Sequence, residues 1–207
     1  MEVHTSLLIA TSNKGKLEEV RHLLSDLPLR ILSLRDFPEI NEIEETGSSF
    51  AENAALKATG YALQTAELTL ADDSGLKVDA LGGAPGVLSA RYAGKGASDL
   101  ERIEKLLAEL EMVDKASRKA RFVAAVAVAN RQGRVLNVSI GKCEGIITFS
   151  PRGQAGFGYD PIFMPEGYDE TFAELGSEIK SQISHRAHAL RQARDHLMGL
   201  TRHLSDG

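Results

Sequence analysis

Short apolar runs and helix-period stripes alternate along most of the chain. Leu7-Leu8-Ile9-Ala10 has the length of a strand, a polar turn follows from Thr11 to Gly15, and Leu17, Val20 and Leu24 then recur at spacings of three and four. This predicts a short buried strand, a turn and an amphipathic helix. Arg30 to Leu34 is a second strand candidate. Ser49-Phe50-Ala51-Glu52 has the form of a capping box, in which the serine oxygen accepts from the Glu52 amide while Glu52 reaches back. The helix it opens is expected to bury Phe50, Ala54, Ala58, Tyr61 and Ala62. Leu68 to Ala71 is expected to be a strand that stops at Asp72-Asp73-Ser74-Gly75.

Ser98-Asp99-Leu100-Glu101 repeats the capping box, with Leu100, Ile103, Leu106, Leu107 and Leu110 as the buried stripe of its helix. Phe122 to Ala129 is a run of small apolar residues suited to a central strand. Leu136 to Ile140 alternates with period two, as a half-exposed strand does. Gly153 to Gly158 is a glycine-rich loop. From Ser177 onward Ile179, Ile183, Ala187, Leu190 and Leu197 mark one face of a closing helix. Strands and helices therefore alternate, with a strand pair near the middle, which favours an α/β fold with a mixed sheet. Functional residues are expected on the loops at strand ends. No repeat, low-complexity tract or linker interrupts the pattern.

The length of 207 residues fits one domain, or two small lobes sharing a core. A chain of this size buries roughly 70% of its unfolded surface and needs no covalent staples. Hydrophobic residues make up 43% and charged ones 26%, a balance ordinary for a soluble globular protein. The net charge of -5 argues against a protein that coats nucleic acid with a basic face, although local lysines with a divalent cation can still hold a polyanion. Cys143 is the single cysteine, which excludes an internal disulfide framework and an all-cysteine zinc site. Met1-Glu2-Val3-His4 has no basic export region and Leu7 to Ala10 is too short for a signal core. No apolar run approaches the ~20 residues of a membrane helix. A cytoplasmic protein without membrane contact is expected.

Four places carry candidate chemistry. Thr11-Ser12-Asn13-Lys14-Gly15-Lys16 joins a strand to a helix start, where free amides and a partial positive charge bind anions. Leu17 follows where a Walker A loop has Ser or Thr, so this is either another kind of phosphate loop or a plain capping turn. Glu44-Glu45 and Asp72-Asp73 are acid pairs, and magnesium favours carboxylate oxygen while keeping exchangeable waters. Such pairs are more often solvated surface, but Asp72-Asp73 ends an apolar strand. Gly156-Phe157-Gly158-Tyr159-Asp160-Pro161 offers aromatic faces and a carboxylate to a purine, or else a glycine turn with two aromatics in the core. Ser184-His185-Arg186 is either a helix start with donors for a base or a solvated helix face.

Taken in order, these segments resemble the inosine/xanthosine triphosphate pyrophosphatase family of noncanonical purine nucleotide hydrolases. The matching residues are Thr11 to Lys16; Glu44-Glu45-Thr46-Gly47 with Phe50 and Glu52-Asn53-Ala54; Ala71 to Leu76; Gly82 to Gly86 with Ser89-Ala90-Arg91-Tyr92; Gly156 to Phe163; and Lys180 with Ser184-His185-Arg186. They span nearly the whole chain, residues 1–207 being read as a single pyrophosphatase domain. The resemblance implies a two-lobed α/β fold, a long mixed sheet flanked by helices, a nucleotide cleft between the lobes, and a homodimer. It implies hydrolysis of ITP, dITP and XTP to the monophosphate and pyrophosphate, which cleans the nucleotide pool.

By the same resemblance, Thr11, Ser12, Asn13, Lys14, Gly15 and Lys16 would hold the triphosphate with Lys57. Glu44 and Asp73 would bind Mg2+, and Asp73 would also activate the water that attacks the α-phosphorus. Ser74 would touch substrate beside it. Phe157, Gly158, Tyr159 and Asp160 would frame the base, with Phe157 as the stacking face, and Lys180, His185 and Arg186 would complete the contacts. Leu88 stands where relatives often carry an aromatic residue, and Ala187 where glycine is common. The main alternative is a nucleotide-binding regulator with the same fold and no turnover. A metal phosphatase acting on monophosphates fits less well, because no Asp-x-Asp follows the first strand.

Overall fold

The structure, a computed structural model, describes residues 5–205 and the side chains of residues 6–200. Met1 to His4, the stretch read for an export signal, lie outside the described residues. Six strands form one sheet: β1 (Thr5–Ile9), β2 (Leu29–Ser33), β3 (Leu68–Val78), β4 (Lys119–Ala129), β5 (Val135–Ile147) and β6 (Phe163–Pro165), in the order β2-β1-β3-β4-β5-β6. β1 runs parallel to both β2 and β3, with Leu7 opposite Ile31 and Leu68, whereas β6 is antiparallel to β5. The sheet is mixed, as expected. Parallel neighbours need crossovers, and these are the helices α1 (Lys14–Leu23) and α2 (Phe50–Thr65). The remaining helices are α3 (Asp99–Glu109), α4 (Phe172–Ile183) and α5 (His185–Ser205). Among the described residues no helix is long and apolar enough to cross a membrane.

The local signals hold best at helix starts. Asn13, Ser49 and Ser98 each cap a helix through the side chain, and Ser98 with Glu101 closes the full reciprocal box. At α2 the returning bond goes to Ser48, whose N–H donates to Glu52 Oε2 at 2.7 Å. α2 buries Phe50, Ala54, Ala58, Tyr61 and Ala62, the expected stripe, and Asn53 beside them. In α3 the stripe narrows to Ile103, Leu106 and Leu110, and Leu100 is 59% exposed. Leu100 lies roughly a quarter-turn from the centre of that stripe at 3.6 residues per turn.

Two boundaries differ from expectation. β3 does not stop at Ala71 but carries Asp72 and Asp73 inside the strand and continues to Val78. A buried strand can carry both acids because each has an ion-pair partner. The closing helix is two helices: Gly176 breaks α4 with φ 77°, and Ser184 is extended at φ -70°, ψ 154° before α5 begins. Ile179 and Ile183 are consequently only half-buried, while Lys180 is buried.

The chain divides into two compact units, one of residues 1–73, 124–141 and 186–207, the other of residues 74–123 and 142–185. The first has a core of β1, β3, β4 and α5 residues, including Leu7, Leu70, Val126 and Leu190. The second packs Leu76, Leu106, Ile162 and a cluster of Phe122, Phe163 and Phe172. Cys143 belongs to that second core, where burial and the Glu144 charge push its thiol up to about 12, so it is an inert packing residue.

Candidate active site

In the first unit, β1 delivers the chain into the Thr11–Gly15 turn. Asn13 Oδ1 accepts from the Lys16 N–H at 3.0 Å, and the Asn13 N–H donates to Thr11 Oγ1 at 3.2 Å. Two of the expected phosphate-loop side chains therefore shape the turn itself. Ser12 and Lys14 are exposed, and with Thr11, Arg21 and Arg35 they line a cavity of about 430 Å³. Lys16 turns inward, its Nζ 3.1 Å from Asp72 Oδ2.

Consecutive residues of a strand point to opposite faces, so the neighbours Asp72 and Asp73 meet different surroundings. Asp72 is 3% exposed and sits between Lys16 and Arg186, whose Nε is 3.1 Å away. Burial alone would raise its carboxyl, but Lys16, Arg186 and Lys57 outweigh burial and hold it well below the usual carboxylate range. The second arm of Arg186 pairs with Glu19. Arg186, expected to touch substrate, is thus an interior cation that neutralises two acids.

Asp73 meets α2 instead. Asn53 Nδ2 donates to its Oδ2 at 3.0 Å, and Lys57 Nζ lies 3.8 Å from its Oδ1. Burial pushes the Asp73 carboxyl up, Lys57 opposes this, and the Glu45 charge adds to it. Lys57 Nζ also binds Glu45 Oε1 at 2.5 Å. Burial works against the Lys57 charge, but Asp72, Asp73 and Glu45 outweigh it and raise its ammonium above the ordinary value. Asn53, nearly fully buried, accepts the Gly47 N–H on its Oδ1 at 2.7 Å, so one amide ties the acidic loop to Asp73.

Glu44, expected as a metal ligand, is exposed, and the glutamate whose charge reaches Asp73 is its neighbour Glu45. Around Asp73, two carboxylates share one lysine, an excess of negative charge that a divalent cation would relieve. Among the described residues no group of three His, Cys, Asp or Glu stands ready to hold a metal. Magnesium needs only one or two carboxylates when waters and phosphates complete its shell, so the donor set fits. Ser74 follows Asp73 on β3 and is half-buried.

In the second unit the Gly156–Asp160 loop is built on its own backbone. Asp160 Oδ2 accepts from the Phe157 N–H at 2.9 Å and from Lys180 Nζ at 2.6 Å. A Cβ on Gly156, where φ is +80°, would stand 2.1 Å from that same oxygen, so only glycine lets the carboxylate reach back. Lys180 Nζ also lies 4.3 Å from the Phe157 ring centre. Phe157 is half-buried with an aromatic face to offer, while Tyr159 is buried and donates its hydroxyl to Ser89 O at 3.0 Å. The His185 ring is stacked on Phe122 at 4.7 Å, inside the aromatic core.

Two groups of the expected site residues are brought together. Lys16, Lys57, Asp73 and Arg186 converge around the acid pair, and Phe157, Gly158, Tyr159, Asp160 and Lys180 form the loop. Asn53 and Ser89 lie in the matching segments without a site role of their own, and Glu45 stands there only as half of the acid pair. Asn53 is also marked locally as a polar residue within the small apolar stripe of α2.

A dITP/XTP pyrophosphatase of Prochlorococcus marinus is 53% identical over 188 residues, covering 91% of this chain and 90% of its own. One from Desulforamulus reducens is 48% identical over 197 residues, 95% of this chain and 98% of its own. Among solved structures, a HAM1 protein from Coxiella burnetii is 44% identical over 94% of this chain and 99% of its own, with a TM-score of 0.86. Residues 7–196 match the model of the Ham1 family, and the chain belongs to that family.

Proposed function

We propose that the chain hydrolyses noncanonical purine nucleoside triphosphates, ITP, dITP and XTP, to the monophosphate and pyrophosphate. The observation that carries the reading is the divided acid pair: Asp72 is neutralised by Lys16 and Arg186, while Asp73 keeps a raised carboxyl beside Lys57. One acid organises cations for a polyphosphate and the other is fit to take a proton. The relatives named dITP/XTP pyrophosphatase supply the substrate class.

In this reading Asp73 accepts the proton of a water that attacks the α-phosphorus in line. Asn53 fixes the direction of the carboxylate, since its amide holds Oδ2. The α1 amides, Lys14, Lys16 and Lys57 receive the negative charge of the departing pyrophosphate. Magnesium would be held by Asp73 with the Glu44–Glu45 pair, and when bound it supplies charge neutralisation at the phosphates. Little covalent chemistry is asked of the protein, so positioning carries the rate.

Phe157 would stack on the purine, with Gly158 and the Asp160–Lys180 pair fixing the loop behind it. A site that donates to the 6-oxo group leaves its donors unpaired against the amino group of adenine, a mismatch worth about 10⁴-fold or more. Residues 1–207 would act as one pyrophosphatase, a homodimer in the cytoplasm, as the sequence resemblance implies; sedimentation of the purified protein tests the dimer. Product analysis with ITP, XTP, dITP, ATP and GTP, with and without magnesium, tests the activity. Pyrophosphate from the first three is expected. Binding without turnover would leave a regulator, and orthophosphate would refute attack at the α-phosphorus.

A further inference from the structure

The loop proposed to frame the base is held by more than its own carboxylate. The Gly158 N–H donates to Asp99 Oδ2 at 2.6 Å. Asp99 is the first residue of α3, and its other oxygen pairs with Arg102 one turn further on. The guanidinium of Arg102 also donates to the carbonyl of Ala90. Next to that carbonyl, Ser89 O receives the Tyr159 hydroxyl at 3.0 Å. The contacts therefore close a ring: Gly158 to Asp99, Asp99 to Arg102, Arg102 to Ala90, and Ser89 back to Tyr159. Gly158 has φ +62°, a left-handed turn that an unanchored loop could leave at little cost. The ring fixes its amide from outside the loop, and neither Asp99 nor Arg102 belongs to the motifs that carry the phosphate or metal chemistry.

We propose that Asp99 and Arg102 are positioning residues for base recognition, acting through the Gly158 backbone on the placement of Phe157. The proposal rests on the reading of Phe157 to Asp160 as the base frame. A charged acceptor fixing a backbone amide holds one conformation of the loop. Without it the loop samples others, and substrate must select the competent one, which raises KM and leaves the chemical step alone. The effect is confined to ligands with a base, because the ring touches no residue assigned to the phosphates. Base discrimination suffers as well, since a loosened stacking face fits the wrong purine as readily as the right one.

The test is steady-state kinetics of the full chain with magnesium, for Asp99→Ala, Asp99→Asn, Arg102→Gln and, separately, Phe157→Ala. Asp99 is 45% exposed, so its variants should fold, and circular dichroism melting checks that they do. For Asp99→Ala the KM for dITP should rise about tenfold, the loss of one hydrogen bond to a charged group, while kcat stays within about twofold. Asp99→Asn keeps an acceptor and should recover part of the loss, and Arg102→Gln should raise KM about threefold. Inhibition by inorganic tripolyphosphate, which has no base, should be unchanged in all three. The preference for dITP over dGTP should fall in Asp99→Ala. An unchanged KM in that variant, or equal weakening of dITP and tripolyphosphate, overturns the proposal. If Phe157→Ala raises KM and Asp99→Ala does not, only the latch is wrong. If Phe157→Ala itself leaves KM unaltered, the base frame fails and the latch fails with it.

Discussion

The middle of β3 and the Gly156–Asp160 loop hold their side chains by different means. Around Asp72 and Asp73 the holding groups are side-chain ions and one amide from distant parts of the chain: Lys16, Asn53, Lys57 and Arg186. In the loop two carboxylates hold backbone N–H groups, Asp160 that of Phe157 and Asp99 that of Gly158, with Lys180 ion-paired to the Asp160 carboxylate. On the proposed function, the difference follows from what each region would do. A polyphosphate is recognised by charge, and buried Asp72, paired with Lys16 and Arg186, fixes where those two cations stand. A base is recognised by a flat face and by edges, so the requirement is a fixed backbone. Charges in the first region should therefore be sensitive to neutralisation, and the second region to loss of its anchors.

The sharpest break of that comparison lies within the first region. Asp73→Asn keeps the size of the side chain and removes its capacity to take a proton. Turnover should fall by about 10² to 10⁴, the usual weight of a general base, while nucleotide binding measured by calorimetry persists. Near-normal turnover would remove Asp73 from the base role. Asp72→Ala should act on stability instead. It leaves Lys16 and Arg186 without their shared acid in the interior, and breaking a buried pair in this way costs about 3–5 kcal/mol. A urea midpoint close to that of the unaltered protein would mean that Glu19 alone satisfies Arg186. Asn53→Ala removes one donor to Asp73 and one acceptor from Gly47, a loss of about 1–3 kcal/mol in urea unfolding. It should also slow turnover, because the direction of the Asp73 carboxylate is no longer set. Loss of stability without loss of rate would confine Asn53 to holding the loop.

What was legible in the sequence divides along the same line. Caps and stripes are local, and Asn13, Ser49 and Ser98 start their helices as their side chains require. The acid pair is legible as such, but the local sequence predicts a strand that stops there. The alternation that separates Asp72 from Asp73 exists only because the strand runs on to Val78. Arg186 looked like a solvated or substrate-facing side chain because Asp72, its partner, is 114 positions away. In the glycine loop, periodicity does not say which of Phe157 and Tyr159 faces the core. That is decided by the carbonyl of Ser89, which captures the Tyr159 hydroxyl. Glu44 and Glu45 are adjacent and chemically alike, and only the position of Lys57 on α2 distinguishes them.

The smallest expected effect concerns acid, and it separates the two aspartates once more. The folded chain holds the Asp72 carboxyl below its ordinary value of 3.8. Its stabilising contribution is therefore complete above that pH and is lost as pH falls through the folded value. Asp73 is shifted the other way, above 3.8. The folded state binds that proton more tightly than the unfolded chain, so Asp73 opposes folding increasingly as pH rises from 3.8 through its folded value. Below about 3.8 the unfolded chain takes up an Asp72 proton that the folded chain still refuses, so urea midpoints should carry a falling Asp72 contribution there, while the opposing Asp73 contribution is already spent. Asp72→Asn should flatten that acid slope although it lowers stability at neutral pH. Asp73→Asn should leave the acid slope in place and remove the opposing trend above it. If the Asp72→Asn slope matched that of the unaltered protein, the acid sensitivity would belong to other carboxylates, and the ion cluster around Arg186 would not be what acid dismantles.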